Sequence, residues 1–119
     1  INTTKNYLNF KLIYRRIFID KNTLTGKQKR FLRSLGMTLE PIVPIGKEGI
    51  TPAVVNSADE AIEKRELIKV RVLQNCPEDI EVAITTLAER TNCDLVQVIG
   101  RNGLLWRRNF KKPKIELPK

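Results

Sequence analysis

From Leu24 onward the sequence alternates between two hydrophobic periods, and that alternation decides the fold class. Apolar residues three and four apart mark a helix with one buried stripe, whereas apolar residues at every second position mark a strand with one buried face. In residues 24–37, Phe31, Leu32 and Leu35 share one helical face, and Lys27, Lys29, Arg30 and Arg33 occupy the opposite one. This predicts an amphipathic helix with a basic outer surface, stopped by Gly36. Pro41-Ile42-Val43-Pro44-Ile45 reads as a short strand, and its two prolines assign it to a sheet edge. After Gly46-Lys47-Glu48-Gly49, Thr51 is a suitable N-cap and Pro52 a suitable first helical residue. Val54, Val55, Ala58, Ala61 and Ile62 form the buried stripe of that second helix, with Asp59, Glu60 and Glu63 facing water.

The alternation returns to period two over residues 66–75, where Ile68, Val70 and Val72 point one way and Leu67, Lys69, Arg71 and Leu73 the other. Residues 77–91 read as a third helix with Ile80, Ala83, Ile84, Leu87 and Ala88 on its core side. Residues 94–99 are a third strand, Gly100-Arg101-Asn102-Gly103 a tight turn, and residues 104–110 a fourth strand. The order α-β-α-β-α-β-β defines an α/β fold with a four-stranded mixed sheet packed by helices. Strands one to three run parallel and the last hairpin adds an antiparallel strand.

A length of 119 residues suits one domain. Residues 1–23 are rich in Asn, Ile and Lys without a clean period, and read as an atypical, weakly ordered leader, imported or mis-started. The domain is expected over 24–112, followed by a basic tail over 113–119. No stretch approaches the roughly 20 apolar residues that span a bilayer.

Charge is segregated along the chain. Net charge is +8 over residues 1–36, −5 over 37–99 and +6 over 100–119, for +9 in all. A fold that brings both ends to one side would attract a polyanion over a Debye length of about 8–10 Å. Nucleic acid is the first candidate and an anionic membrane surface the second. With no histidine and two cysteines, the chain lacks an ordinary general base near neutral pH and a Cys/His zinc set. Cys76 and Cys93 flank the third helix, roughly 23 Å apart at 1.5 Å per residue, too far for a disulfide, and are expected as free thiols in a reducing cytosol. Glu78, Asp79 and Glu81 cluster at a helix start, where carboxylates complement the macrodipole. Neither a catalytic arrangement nor a cofactor is expected.

Three features bear on binding. The Gly46-Lys47-Glu48-Gly49 loop joins a strand to a capped helix, where backbone N–H groups favour a phosphate; single-stranded RNA modules of the KH type clamp a backbone with a GxxG loop of this form. Alone, the motif also fits a plain βα turn, and it is not a Walker A sequence. The four like charges on the first helix have no acidic partner at helical spacing and oppose helix formation unless neutralised. At the carboxy-terminal end, Arg101 reads as exposed and free to reach a partner. Trp106 alternates with Leu104 as a core residue would, and Arg107 projects opposite Trp106.

The blocks LTGKQKRFLR, PIVPIGKEGIT, ELIKVRVLQNC and LVQVIGRNGLLWRR, in this order, closely resemble the bacterial YhbY-like proteins, which are single CRM domains (chloroplast RNA splicing and ribosome maturation). The resemblance covers Leu24 to about Pro118. It implies a fold similar to the C-terminal domain of translation initiation factor three, and association with ribosomal RNA in precursors of the large ribosomal subunit. The family's GxxG motif falls on Gly46, Lys47, Glu48 and Gly49, its basic helix on Lys27, Lys29, Arg30 and Arg33, and its aromatic-Arg pair on Trp106 and Arg107. Glu48 is acidic where this loop often carries a neutral or basic residue. The expected RNA-binding set is Lys27, Lys29, Arg30, Arg33, Gly46, Lys47, Glu48, Gly49, Lys69, Arg71, Arg101 and Arg107, in a cytoplasmic monomer. The competing classes are a protein adaptor docking on a ribosomal protein through the acidic middle, and an enzyme acting on a phosphorylated small molecule at the glycine loop.

Overall fold

The computed structural model describes residues 24–119; the leader assigned to residues 1–23 lies outside the described residues. Helix α1 (Gly26–Gly36) begins at a capping box. The Thr25 hydroxyl accepts from the Gln28 N–H (3.1 Å), and the Gln28 carboxamide oxygen accepts from the Thr25 N–H (3.0 Å), satisfying two amide donors at the helix start. Then follow β1 (Pro41–Ile45), α2 (Pro52–Arg65), β2 (Leu67–Val72), α3 (Ile80–Arg90), β3 (Asp94–Ile99) and β4 (Asn102–Trp106).

The sheet order is β1-β2-β4-β3, with β1 parallel to β2 and β4 antiparallel to both β2 and β3. Strands β1, β2 and β3 therefore share one direction, as expected. The fourth strand inserts between β2 and β3, and every residue from Gly103 to Trp106 is buried. A central strand covered on both faces carries such a continuous apolar run. Strand β1 is the edge its prolines indicate, with its register slipping between Pro41 and Val43.

Each sheet face has its own core. Helices α2 and α3 cover one face, where Ile62, Ile84 and Leu87 meet Ile45, Ile68 and Leu105, all fully buried. Each such side chain contributes ~1.5–3 kcal/mol relative to exposure. Helix α1 covers the other face, where Leu32 packs with Leu67, Val96, Leu104 and Trp106.

Two glycines act differently from their sequence reading. Met37, not Gly36, caps α1, and a Cβ on Gly36 would lie 2.6 Å from Leu104 Cδ2. Gly36 thus lets the helix approach the sheet. The β3–β4 turn is Gly100-Arg101, two residues earlier than Asn-Gly suggests, because Ile99 pairs with Asn102 and Gly100 carries the positive φ of 57°. Gly103 belongs to β4, where a Cβ would lie 2.5 Å from Ile84 Cγ2.

The carboxy-terminal segment is tied down by a buried acid. Glu66, at 0% exposure, follows α2 with φ 65°. Its carboxylate accepts from the backbone N–H groups of Asn109 (2.7 Å), Lys114 (2.5 Å) and Ile115 (2.8 Å). The chain then returns over the α1 face, where Ile115 and Leu117 pack on the second core and the Pro118 carbonyl accepts from Gln28 Nε2 (3.0 Å). The segment set apart as a basic tail is therefore a packed part of this face.

Candidate nucleic-acid interface

The cations of α1 meet those of β2 because both look onto the same sheet face. Alternation puts Leu67, Lys69 and Arg71 on the α1 side of β2, opposite the buried Ile68, Val70 and Val72. Arg30 and Arg33 of α1 and Lys69 of β2 line one groove of about 570 Å³, and among the described residues no acidic side chain lines it. Lys27 is exposed and Lys29 half-buried on the same helix. Arg71, exposed, lies two residues beyond Lys69, or ~7 Å along the strand.

The same line leads to the glycine loop. Leu73 follows Arg71, and a Cβ on Gly46 would lie 3.7 Å from Leu73 Cδ1. The loop is a tight turn in which the Gly49 N–H donates to the Gly46 carbonyl (3.0 Å). Gly49 is buried with φ 69°, a conformation that favours glycine, and Lys47 and Glu48 stand exposed at the tip. Thr51 caps α2 by accepting from the Val54 N–H (3.1 Å), as its position predicts. Glu78 Oε1 would lie 3.7 Å from a Cβ on Gly49. Lys47 thus shares the loop with two carboxylates, Glu48 and Glu78, so the loop offers backbone access more than positive charge. Attraction for a polyanion comes from the neighbouring sheet face and α1.

Two expected contacts are corrected. Arg101 is not free: its Nε donates to the Val72 carbonyl (2.7 Å) and its Nη2 to the Leu73 carbonyl (2.6 Å). It fastens the hairpin to the strand end that backs the glycine loop. Arg107, 8% exposed, belongs to the interior; its Nη1 donates to Asp59 Oδ1 (2.7 Å) and the Thr91 carbonyl (2.6 Å), and its Nη2 pairs with Glu63 Oε2 (3.1 Å). It locks α2 to the end of α3. Trp106, 3% exposed, is a core residue, as its alternation with Leu104 indicates, with Arg108 5.6 Å over its ring.

The expectation of a single cationic surface is also corrected. Lys111, Lys112 and Lys114 gather with Lys64 around a second hollow beside Glu66, before the start of β2. The glycine loop lies beyond the other end of that strand, ~20 Å away at the rise of six extended residues. Asp59, Glu60 and Glu63 of α2 and Glu81 and Glu89 of α3 are exposed on the layer opposite α1. Charge is therefore divided across the sheet as well as along it.

Among the described residues no group of His, Cys, Asp and Glu could hold a metal ion. Both cysteines are free, and burial pushes the Cys93 thiol up to about 11, which leaves it an inert neutral group. Sequence reasoning missed the groove's other walls: Met37, Gln97, Ile99 and Asn102. The β3–β4 pairing that brings three of these onto one face becomes visible only with β4 placed centrally.

A two-layered helix cover on a β1-β2-β4-β3 sheet, with a basic groove and a GxxG loop on one line, defines an α/β domain with a cationic face suited to a polyanion. Residues 24–107 match the CRS1/YhbY (CRM) domain model, and the chain belongs to this family of RNA-binding proteins. It is 46% identical over 95 residues to "Probable RNA-binding protein YqeI" of Bacillus subtilis, covering 80% of this chain and 99% of that one. An RNA-binding protein of Haemophilus influenzae is 36% identical over 97 residues, covering 82% of this chain and 97% of that one. The solution structure of Staphylococcus aureus protein SAV1595, whose description proposes RNA binding, superposes with a TM-score of 0.68 at 48% identity, covering 81% of this chain and all of that one.

Proposed function

We propose that this protein, a cytoplasmic monomer, binds ribosomal RNA in precursors of the large ribosomal subunit and assists their assembly. RNA runs along the α1 face from the Arg30–Arg33–Lys69 groove, past Arg71, to the glycine loop. The observation that carries the reading is the groove itself: three cations from two elements converge there without a carboxylate among the described residues. Lys27, Lys29 and Lys47 extend the field at its ends. Gly46, with no side chain and only ordinary contact distances at its Cβ position (3.7 Å to Leu73 Cδ1, 3.8 Å to Asn75 Oδ1), lets a sugar-phosphate backbone approach. Phosphate contacts of this kind position an RNA without reading its sequence.

The test has two parts. About four phosphate contacts predict a log K against log salt slope near −3 on single-stranded RNA. Replacing Arg30, Arg33 and Lys69 together with Gln should reduce its magnitude by about 2 and weaken all sequences alike. A slope that the triple variant leaves unchanged refutes the groove. Crosslinking in cells, followed by sequencing of attached RNA, should return large-subunit ribosomal RNA and its precursors. Crosslinks concentrated elsewhere, or retention on ribosomal proteins after complete RNase digestion, refute the assembly role.

A further inference from the structure

The basic groove has more than cations in it. Met37 and Ile99 line it at 82% and 62% exposure, a costly placement for large apolar side chains on a surface that only collects phosphates. Two carboxamides, Gln97 and Asn102, join them from the neighbouring strands β3 and β4. Asn102 Oδ1 is buried without a hydrogen-bond partner among the described residues. Native structures pair nearly all such atoms. Because χ2 of Asn is soft, the amide can turn toward the groove, and its oxygen gives up no bond in doing so. The combination of apolar side chains, an unspent amide and flanking cations suits a whole nucleotide: base against Met37 and Ile99, phosphates against Arg30, Arg33 and Lys69. A volume of about 570 Å³ lies within the range of small-ligand pockets.

We propose that this groove is a reading pocket for one unpaired adenine nucleotide of the bound RNA. The inference rests on the RNA-binding reading above and adds base selection to it. A carboxamide offers one acceptor and one donor side by side, which complements adenine N6–H and N7. Single-stranded RNA can splay a base out to present that edge, and a stacked duplex cannot. The apolar walls supply contact for the ring faces and the cations hold the attached backbone. Selection and attraction are thus separated: Asn102 discriminates, and the arginines and Lys69 draw the strand in.

The experiment uses the full chain and oligouridine 12-mers with A, C, G, U or an abasic unit at the centre. The A-containing strand should bind roughly ten-fold more tightly than the all-U strand, the abasic one no better than U. Asn102→Leu should abolish the preference for A and leave the salt slope unchanged. Met37→Ser, at a position too exposed to affect the core, should weaken the A-strand selectively and serves if Asn102→Leu fails to fold. Equal affinity for all five strands with a normal salt slope overturns the pocket and leaves the RNA-binding reading intact. No salt-dependent binding to any strand overturns that reading itself. AMP binding by calorimetry as tight as that of the A-strand overturns RNA as the source of the nucleotide, and AMP too weak to measure supports it.

Discussion

Arg107→Ala separates a structural arginine from an RNA contact. In the native protein the guanidinium makes three short contacts, to the Thr91 carbonyl and to the carboxylates of Asp59 and Glu63. The carboxylates belong to residues 57% and 60% exposed, so they rehydrate when the arginine is lost, and each pair contributes only ~0.5–1 kcal/mol. The Thr91 carbonyl is the costly group. Thr91 is 2% exposed, and removing its charged donor leaves a buried acceptor short of a partner, at ~1–3 kcal/mol. The total is ~2–5 kcal/mol, which for a domain of this size lowers Tm by roughly 10–20 °C. Thermal melts followed by circular dichroism measure the shift. Asp59→Ala and Glu63→Ala should each cost under ~1 kcal/mol, since neither orphans a buried group. RNA affinity of Arg107→Ala, titrated well below its melting range, should match the parent. A Tm within ~2 °C of the parent together with a ten-fold loss of RNA affinity would refute this assignment and return Arg107 to the interface.

Glu66→Gln replaces one carboxylate oxygen with an amide that faces backbone N–H donors, and should cost ~2–4 kcal/mol. Hydrogen exchange should show amides 109–115 losing protection first. Gly36→Ala forces a methyl onto Leu104 and should destabilise by ~1–3 kcal/mol in denaturant titration. Gly49→Ala should destabilise because its φ is 69°; Gly46→Ala, whose Cβ would meet Leu73 and Asn75 at ordinary contact distances of 3.7 and 3.8 Å, should leave the melt unchanged and weaken RNA binding. Iodoacetamide at pH 8 should label Cys76 well before Cys93, as mapped by mass spectrometry. Because the folded Cys93 thiol titrates at about 11 against an ordinary 9.0, the native state holds its proton longer. Its contribution is therefore full below pH 9 and lost as pH rises from 9 to 11.

Much of the fold was legible because hydrophobic period is a local property. Helix α2 shows it best: Thr51, Pro52 and the stripe through Ile62 lie where the sequence puts them. What stayed hidden depended on partners far away in the chain. Gly36 looks like a helix stop until Leu104 is placed against it, and Glu66 looks like another surface acid until residues 109–115 fold onto it. The central position of β4 had a local trace, the unbroken apolar run Leu104-Leu105-Trp106, but a hairpin turn signal beside it favours an edge.

The site was half legible for a related reason. A sequence shows that an arginine is present but not whether its five donors are already spent. Arg101 and Arg107 are spent on carbonyls and carboxylates of their own chain, so a phosphate would have to displace bonds already made. Arg30, Arg33, Lys69 and Arg71 have no carboxylate within ion-pair distance among the described residues, so a phosphate adds bonds without breaking any. Folding thus sorts like residues into two kinds, and these four unpaired cations lie on one face, beside a loop whose glycines admit a backbone but whose acids do not attract one. Attraction and close approach are therefore assigned to different elements, which makes the order of binding follow from geometry. On the proposed path, an RNA would be drawn first to the α1 face and would only then reach Gly46.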